Sequence, residues 1–412
     1  MKQKTELTFK YNQERGRHGW LRLTPAYSVK AVLKFLNITP GHAQVLDPFS
    51  GTGTTGLLCS ELGIYSTLIE INPFLVWFAK TKTRNYSPKD LSSTDMLARI
   101  VTKRTKTIPI ENPWIPPIHN VERWWTFQRL KILAQLFSHI CDLEQTHPPK
   151  SIDLLKVGFC RTMIKWSNAA FTHQSMSFKD KEPIQPPLFE LDEIDERDQI
   201  LNSFINEVAK ITQTAQSPLP IETQVIQGDA RHIDKLVDGT FTQVVTSPPY
   251  PNRMSYIREL RPYMYWLGFL ETPRQAGELD WQAIGGTWGI ATSRLNEWTP
   301  PRDNSIEHQG FYEMVKAIAK TPNSHSKTLA NYIHKYFVDS VQHLSSLRSV
   351  LEPGAEIVYI VGNSKFYDVL VPVEQIYASI MRQCGFHDTR IELLRKRNSK
   401  QELYEYAVIG YV

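Results

Sequence analysis

The chain has 412 residues, 41% of them hydrophobic and 22% charged. That composition excludes a disordered or fibrous chain and gives length enough for a catalytic domain with insertions. No apolar run approaches the roughly 20 residues of a membrane-spanning helix, and Met1–Trp20 lacks the apolar centre of a secretory signal. The net charge of +5 permits a polyanionic partner without demanding one.

Seven short runs rich in β-branched and aromatic residues read as strands: Ala43–Phe49, Tyr65–Ile71, Thr223–Asp229, Phe241–Ser247, Ala355–Asn363, Phe386–Leu394 and Glu405–Val412. The first five are largely apolar, as strands covered on both faces are. Helical patterns follow the first two (Thr54–Leu62, Pro73–Thr83) and another precedes the fifth (Tyr332–Val350), with Leu351-Glu352-Pro353-Gly354 as the stop. The last two runs leave no room for a helix between them and should form an antiparallel hairpin. The expected fold is therefore α/β: a doubly wound, seven-stranded, mostly parallel Rossmann-like sheet. Two stretches break the rhythm. Asn85–Ile221 holds predicted helices over Val121–Leu143 and Ile152–Asn168 and an acidic, proline-containing stretch, Glu182–Asp198. Glu271–Asn331 mixes Trp, Gly, Pro and Asn. The chain then divides into a cofactor-binding part (1–84), a mainly helical insertion (85–221), a catalytic part (222–270), a candidate target-recognition insertion (271–331) and a C-terminal part (332–412).

The first run ends in Asp47-Pro48-Phe49-Ser50-Gly51-Thr52-Gly53-Thr54-Thr55-Gly56. A glycine-rich turn between strand and helix brings backbone N–H groups close to a ligand; taken alone, it fits a dinucleotide site equally well. The second run ends in Glu70, an acceptor suited to both ribose hydroxyls of an adenosyl group, and the third in Asp229, suited to an adenine amino group. The fourth runs into Ser247-Pro248-Pro249-Tyr250. Two consecutive prolines end a strand in a stiff, extended turn. The Ser247 side chain and the Pro248 carbonyl can accept both hydrogens of an exocyclic amino group and draw its nitrogen toward sp³ geometry. Tyr250 can stack on a base taken out of its duplex.

Asp47–Gly53 together with Ser247–Tyr250 resembles the paired signatures of the S-adenosylmethionine-dependent DNA amino-methyltransferases, and the serine form resembles their cytosine-N4 branch. Arg22–Ser28, Glu70–Pro73 and Val361–Ser364 are also similar to family stretches. The resemblance implies S-adenosylmethionine as cofactor, held by Asp47, Pro48, Phe49, Gly51, Gly53, Thr54, Thr55, Glu70, Ile71, Asp229, Ala230 and Ser247, with Tyr27 and Ser28 over its methionine end. It implies Ser247, Pro248, Pro249 and Tyr250 as catalytic, double-stranded DNA as partner, and a restriction-modification system with a cognate endonuclease. A prokaryotic, cytoplasmic, nucleoid-associated protein follows. DNA adenine-N6 methylation, and guanine-N2 or adenine-N6 methylation of RNA, stay open, usually with Asn or Asp before the prolines. C5-cytosine chemistry needs a thiolate in a Pro-Cys context, and no cysteine here follows a proline. The cofactor loop precedes the catalytic loop and both candidate recognition segments are internal, unlike the family's commonest permutations.

Arg253 and Arg258, just past the catalytic loop, and Arg395 and Arg397, in the turn before the last run, are the candidate DNA contacts. Trp124, Trp125 and Trp166 lie in helical patterns and read as core. Cys59, Cys141, Cys160 and Cys384 form no CxxC pair, which fits a reducing compartment. No HExxH or paired His spacing occurs, so no metal is expected.

Overall fold

The structure is a computed structural model that describes residues 5–23, 27–37, 43–170, 177–179, 190–301, 305–397 and 402–412. Seven strands make one sheet: β1 (Gln44–Asp47), β2 (Tyr65–Glu70), β3 (Gln224–Gln227), β4 (Phe241–Thr246), β5 (Leu351–Gly362), β6 (His387–Lys396) and β7 (Tyr404–Tyr411). Their order is β3-β2-β1-β4-β5-β7-β6. The pairs β3/β2, β2/β1, β1/β4 and β4/β5 are parallel, while β7 runs antiparallel to both β5 and β6. The doubly wound sheet with its C-terminal antiparallel hairpin is the architecture expected from the sequence.

The longer helices are α1 (Val29–Phe35), α2 (Thr54–Leu62), α3 (Pro73–Thr83), α4 (Pro88–Thr107), α5 (Phe127–Cys141), α6 (Pro149–Lys165), α7 (Glu190–Ala215), α8 (Tyr256–Trp266), α9 (Pro273–Gln282), α10 (Ile290–Glu297), α11 (Phe311–Lys320), α12 (Ser326–Arg348) and α13 (Val373–Gln383). Successive strand residues point to opposite faces, and the apolar runs use both. Val45, Val245 and Val358 join a core with α1 and α2, while their neighbours Leu46, Val244 and Ile357 join one with α12 and α13. The insertion spanning α4 to α7 has no core of its own. Leu97, Leu133, Phe159, Phe204 and Val208 pack in one cluster with Phe74 and Phe78 of α3 and with Leu260 and Trp266 of α8.

Two local expectations change. The helix predicted over Val121–Leu143 is broken: a short helix, Val121–Trp124, ends at Trp125, which is extended, and Thr126 caps α5 by accepting from the Arg129 N–H. Full burial of the Trp125 indole, which donates to the Met163 carbonyl at 2.8 Å, sets that break. The acidic stretch Glu182–Asp198 lies partly outside the described residues, and from Glu190 it belongs to α7. Leu351–Gly354 belongs to β5 rather than ending before it, because a register shift against β4 absorbs Pro353 and Gly354; bulges tolerate Pro and Gly where a regular ladder does not. Segment 271–331 carries the short helices α9, α10 and α11 and the start of α12.

Candidate active site

Parallel strands deliver their carboxyl ends to one edge, and the order reverses between β1 and β4, where such sheets open a crevice. Because β7 is antiparallel, its first residues return to the same edge, with Glu405 opposite Gly362. The glycine loop, Glu70, Asp229, the Ser-Pro-Pro-Tyr loop, Asn363 and Glu405 thus lie along one rim.

Asp47 ends β1 and is fully buried. Its carboxylate accepts from the Phe49 N–H (3.1 Å), the Thr246 hydroxyl (2.6 Å), the Thr55 hydroxyl (2.6 Å) and the Tyr27 hydroxyl (3.0 Å). Tyr27 and Thr55 also hydrogen-bond each other. Burial pushes the Asp47 carboxyl above its ordinary range, against the pull of these donors. Asp47 therefore binds β1, β4, α2 and the segment before α1 together, and Tyr27 and Thr55 are engaged inside the protein. Ser28, expected over the methionine end of the cofactor, caps α1 and donates to the Glu6 carbonyl at 2.7 Å while fully buried. Thr24, Pro25 and Ala26 of the similar stretch Arg22–Ser28 lie outside the described residues.

The chain after Asp47-Pro48 turns through Gly51 (φ 50°) and Gly53 (φ 71°), left-handed conformations that suit glycine. A Cβ on Gly53 would also sit 3.0 Å from the Ala79 Cβ. Gly53 caps α2, which begins at the buried Thr54. The Phe49 ring meets His343 edge-on at 4.7 Å. Glu70 accepts from the Gly51 N–H through one oxygen and the Asn72 N–H through the other, both at 2.9 Å. Burial lifts its carboxyl to about 7, despite those two amides. Ile71 beside it is half-buried. Asp229 caps a short helical turn that starts at the buried Ala230, and Arg231 grips it through both oxygens, at 2.6 Å for the closest. Burial would raise this carboxyl, but the Arg231 hydrogen bonds and charge hold it below the ordinary range. Arg231 further reaches Asp339 and the Gln282 carbonyl.

After β4, the Ser247 hydroxyl donates to the Ile360 carbonyl at 3.1 Å and lies 3.4 Å from the Tyr250 hydroxyl, and its oxygen keeps acceptor capacity. Among the described residues none donates to the Pro248 carbonyl, whereas the Pro249 carbonyl takes the Tyr336 hydroxyl at 2.7 Å. Tyr250 donates to Glu405 at 2.9 Å and packs on Gly362, where an added Cβ would lie 3.0 Å from its ring. Burial, and next the Glu405 charge, push this phenol well above its ordinary range, so it is a neutral donor.

Arg395 and Arg397 are turned inward. Arg395 makes a two-pronged pair with Glu405 (2.6 and 3.0 Å). Arg397 is buried, donates to the Asn363 carbonyl at 3.0 Å and lies 5.5 Å from the centre of the Tyr250 ring. Arg395 thus pairs with the residue that receives the Tyr250 hydroxyl and Arg397 lies against the Tyr250 ring, so both expected phosphate contacts are engaged within the protein; Asn398, Ser399 and Lys400 of that turn lie outside the described residues. Arg253 and Arg258 are exposed. Trp124 and Trp125 are core and Trp166 is half-buried. Sequence reading missed Arg231, Tyr336 and Glu405; only Glu405, an acid opening an apolar strand, carried a visible signal.

This strand order, with a glycine loop after β1 and a Ser-Pro-Pro-Tyr loop after β4, defines a Rossmann-like methyltransferase fold. No family model matches the chain. Over 98% of its length it is 23% identical to the Type II methyltransferase M.BsoBI of Geobacillus stearothermophilus, covering 86% of that protein. Over 96% it is 22% identical to Type II methyltransferase M.AvaI of Nostoc sp. and of Anabaena variabilis, covering 85% of each. The chain is a relative of these type II methyltransferases. The rRNA methyltransferase aviRa of Streptomyces viridochromogenes overlaps 94% of this chain and 86% of its own at 10% identity and a TM-score of 0.28, too slight a likeness to carry weight. Among the described residues no helix is long and apolar enough to cross a membrane.

Proposed function

We propose that the protein transfers a methyl group from S-adenosylmethionine to the exocyclic N4 of cytosine in duplex DNA, acting on a base turned out of the helix, as the modification arm of a restriction-modification system. The observation that carries this reading is the Ser247–Tyr250 loop on the strand beside the glycine loop, in a chain related end to end to type II methyltransferases.

The residues present fit the cofactor. The Ser50 hydroxyl is buried in the glycine loop with no partner among the described residues. Gly51 faces open space, its nearest neighbour to an added Cβ being the Phe49 carbonyl at 3.9 Å. Glu70 keeps lone pairs beyond those used by its two amides, enough for a vicinal diol. Asp229 and Ala230 border the adenine side, where an amino group would share Asp229 with Arg231. When bound, the cofactor supplies an electrophilic methyl on a sulfonium. Ser247 and the Pro248 carbonyl accept the two amino hydrogens, which localises the nitrogen lone pair, and the proton lost after transfer leaves from the cationic nitrogen. These acceptors act most strongly where charge develops, so they favour the transition state over the ground state. Tyr250 offers its ring to the extruded base. Mass spectrometry of nucleosides from duplex DNA incubated with protein and cofactor tests the reading. N4-methylcytosine is expected; N6-methyladenine, 5-methylcytosine, or methylation of RNA alone overturns it.

A further inference from the structure

Beside the catalytic loop lies a cleft of about 190 Å³, lined among others by Arg253, Arg258, Trp288, Thr292, His325 and Thr328. Among the described residues no carboxylate lines it. Arg253 and Arg258 are exposed, and neither guanidinium has an acidic or hydrogen-bonding partner among the described residues. Unpaired arginines side by side repel one another, so their convergence on one hollow calls for an anion. Arg253 adds an independent sign. It is not glycine, yet it stands at φ 63°. Its N–H donates to the Tyr332 hydroxyl (3.3 Å) and its carbonyl accepts from the Thr287 hydroxyl (3.5 Å), so α12 and segment 271–331 clamp it in that conformation. Such strain persists only where surroundings impose it, and it gathers at ligand clamps. The first turns of α8, α10 and α12 also border the cleft, adding the positive ends of three helices.

The geometry points to an oxyanion site in this cleft that takes a phosphodiester of the nucleic-acid backbone, with Arg253 and Arg258 as its two cationic arms. Only Pro251 and Asn252 separate Arg253 from Tyr250, so the phosphate held there flanks the nucleotide presented to the catalytic loop. The site rests on the proposal that the substrate is DNA and deepens it: it joins segment 271–331 to the chemistry through one shared phosphate contact.

Arg253→Asn is the discriminating variant, because Asn accepts the left-handed backbone and removes the cation. Binding of a fluorescent duplex that the wild-type protein methylates is measured by anisotropy across a salt series, with S-adenosylhomocysteine present. Arg253→Asn and Arg258→Gln are each expected to weaken binding about tenfold and to flatten the log–log salt dependence by about one unit. Both keep the wild-type melting temperature and S-adenosylhomocysteine affinity. Unchanged affinity and slope in both variants overturn the site while leaving DNA methylation standing. Inorganic phosphate that raises the wild-type but not the Arg253→Asn melting temperature, with DNA binding unaltered, assigns the cleft to free phosphate and likewise overturns it. A wild-type protein that neither binds nor methylates DNA removes the functional proposal together with this one.

Discussion

At the scale of single residues, the proposed catalytic loop offers Ser247 and Tyr250 to substrate, with Glu405 and Arg397 against Tyr250. If Ser247 is the acceptor whose work lies in the transition state, as proposed, Ser247→Ala is expected to cut the single-turnover rate roughly 10- to 1000-fold, for a loss of about 1.4–4 kcal/mol, at unchanged cofactor affinity. Tyr250→Phe removes one donor from Glu405, which keeps its Arg395 pair; with about 1 kcal/mol at stake, the rate should fall only a few fold. Tyr250→Ala loses the ring and should fall further. Equal rates for Ser247→Ala, Tyr250→Ala and wild type at saturating cofactor would remove the loop from the chemistry. Glu70 carries a pH signature. Its carboxyl is lifted to about 7 by burial, so in the free protein its contribution to stability is fully present below the unfolded pKa and is lost as pH rises through about 7. Ribose hydroxyls prefer the ionised acceptor, so cofactor affinity should weaken toward tenfold per pH unit as pH falls below about 7. Calorimetry across that range checks this, with Glu70→Gln expected to show a flat, weaker profile; a flat wild-type profile removes Glu70 from the ribose.

At the scale of elements, the helical insertion is fused to the catalytic part through a common core rather than joined as a separate domain. Trp125 sits at its centre, fully buried, with Trp266 of α8 edge-on at 5.7 Å. Trp125→Ala should cost about 3–5 kcal/mol in denaturant unfolding, and wild type and variant should each unfold in one transition. Two resolved transitions would mean that segment 85–221 folds on its own. The hairpin β6–β7 is equally more than an edge: its antiparallel return places Glu405, Arg395 and Arg397 behind Tyr250.

At the scale of the whole molecule, segment 271–331 is tied to the start of α8, just past the Ser-Pro-Pro-Tyr loop, through Asp280, which accepts from Ser255 and from the Thr287 and Trp288 N–H groups. Its exchange for the matching segment of a relative with another specificity should move the methylated sequence to the donor's, read by sequencing methylated sites. Retention of the original specificity would transfer target reading to segment 85–221.

The strands, their burial on both faces, the terminal hairpin and the two loops were legible in the sequence, because period, β-branching, glycine and proline are local signals that survive without a fold. Gly51, Gly53 and the Ser-Pro-Pro-Tyr turn needed no tertiary context to be singled out. What only the tertiary structure decided were pairings between residues far apart in the chain. Asp47 was expected at the cofactor, and its carboxylate is also a buried junction between segments, a role set by Thr246 and Tyr27 arriving from elsewhere. Asp229 is shared with Arg231 and, through it, with Asp339. Arg395 and Arg397 were expected as DNA contacts, and the folded chain brings a carboxylate and a carbonyl to receive them. The helix break at Trp125 belongs to the same class, since helical periodicity continues through it and only burial of the indole against α6 and α8 ends it. Local propensity is written residue by residue, whereas the partner of a charge or an indole is set by strand order and helix packing, which the chain discovers only when it folds.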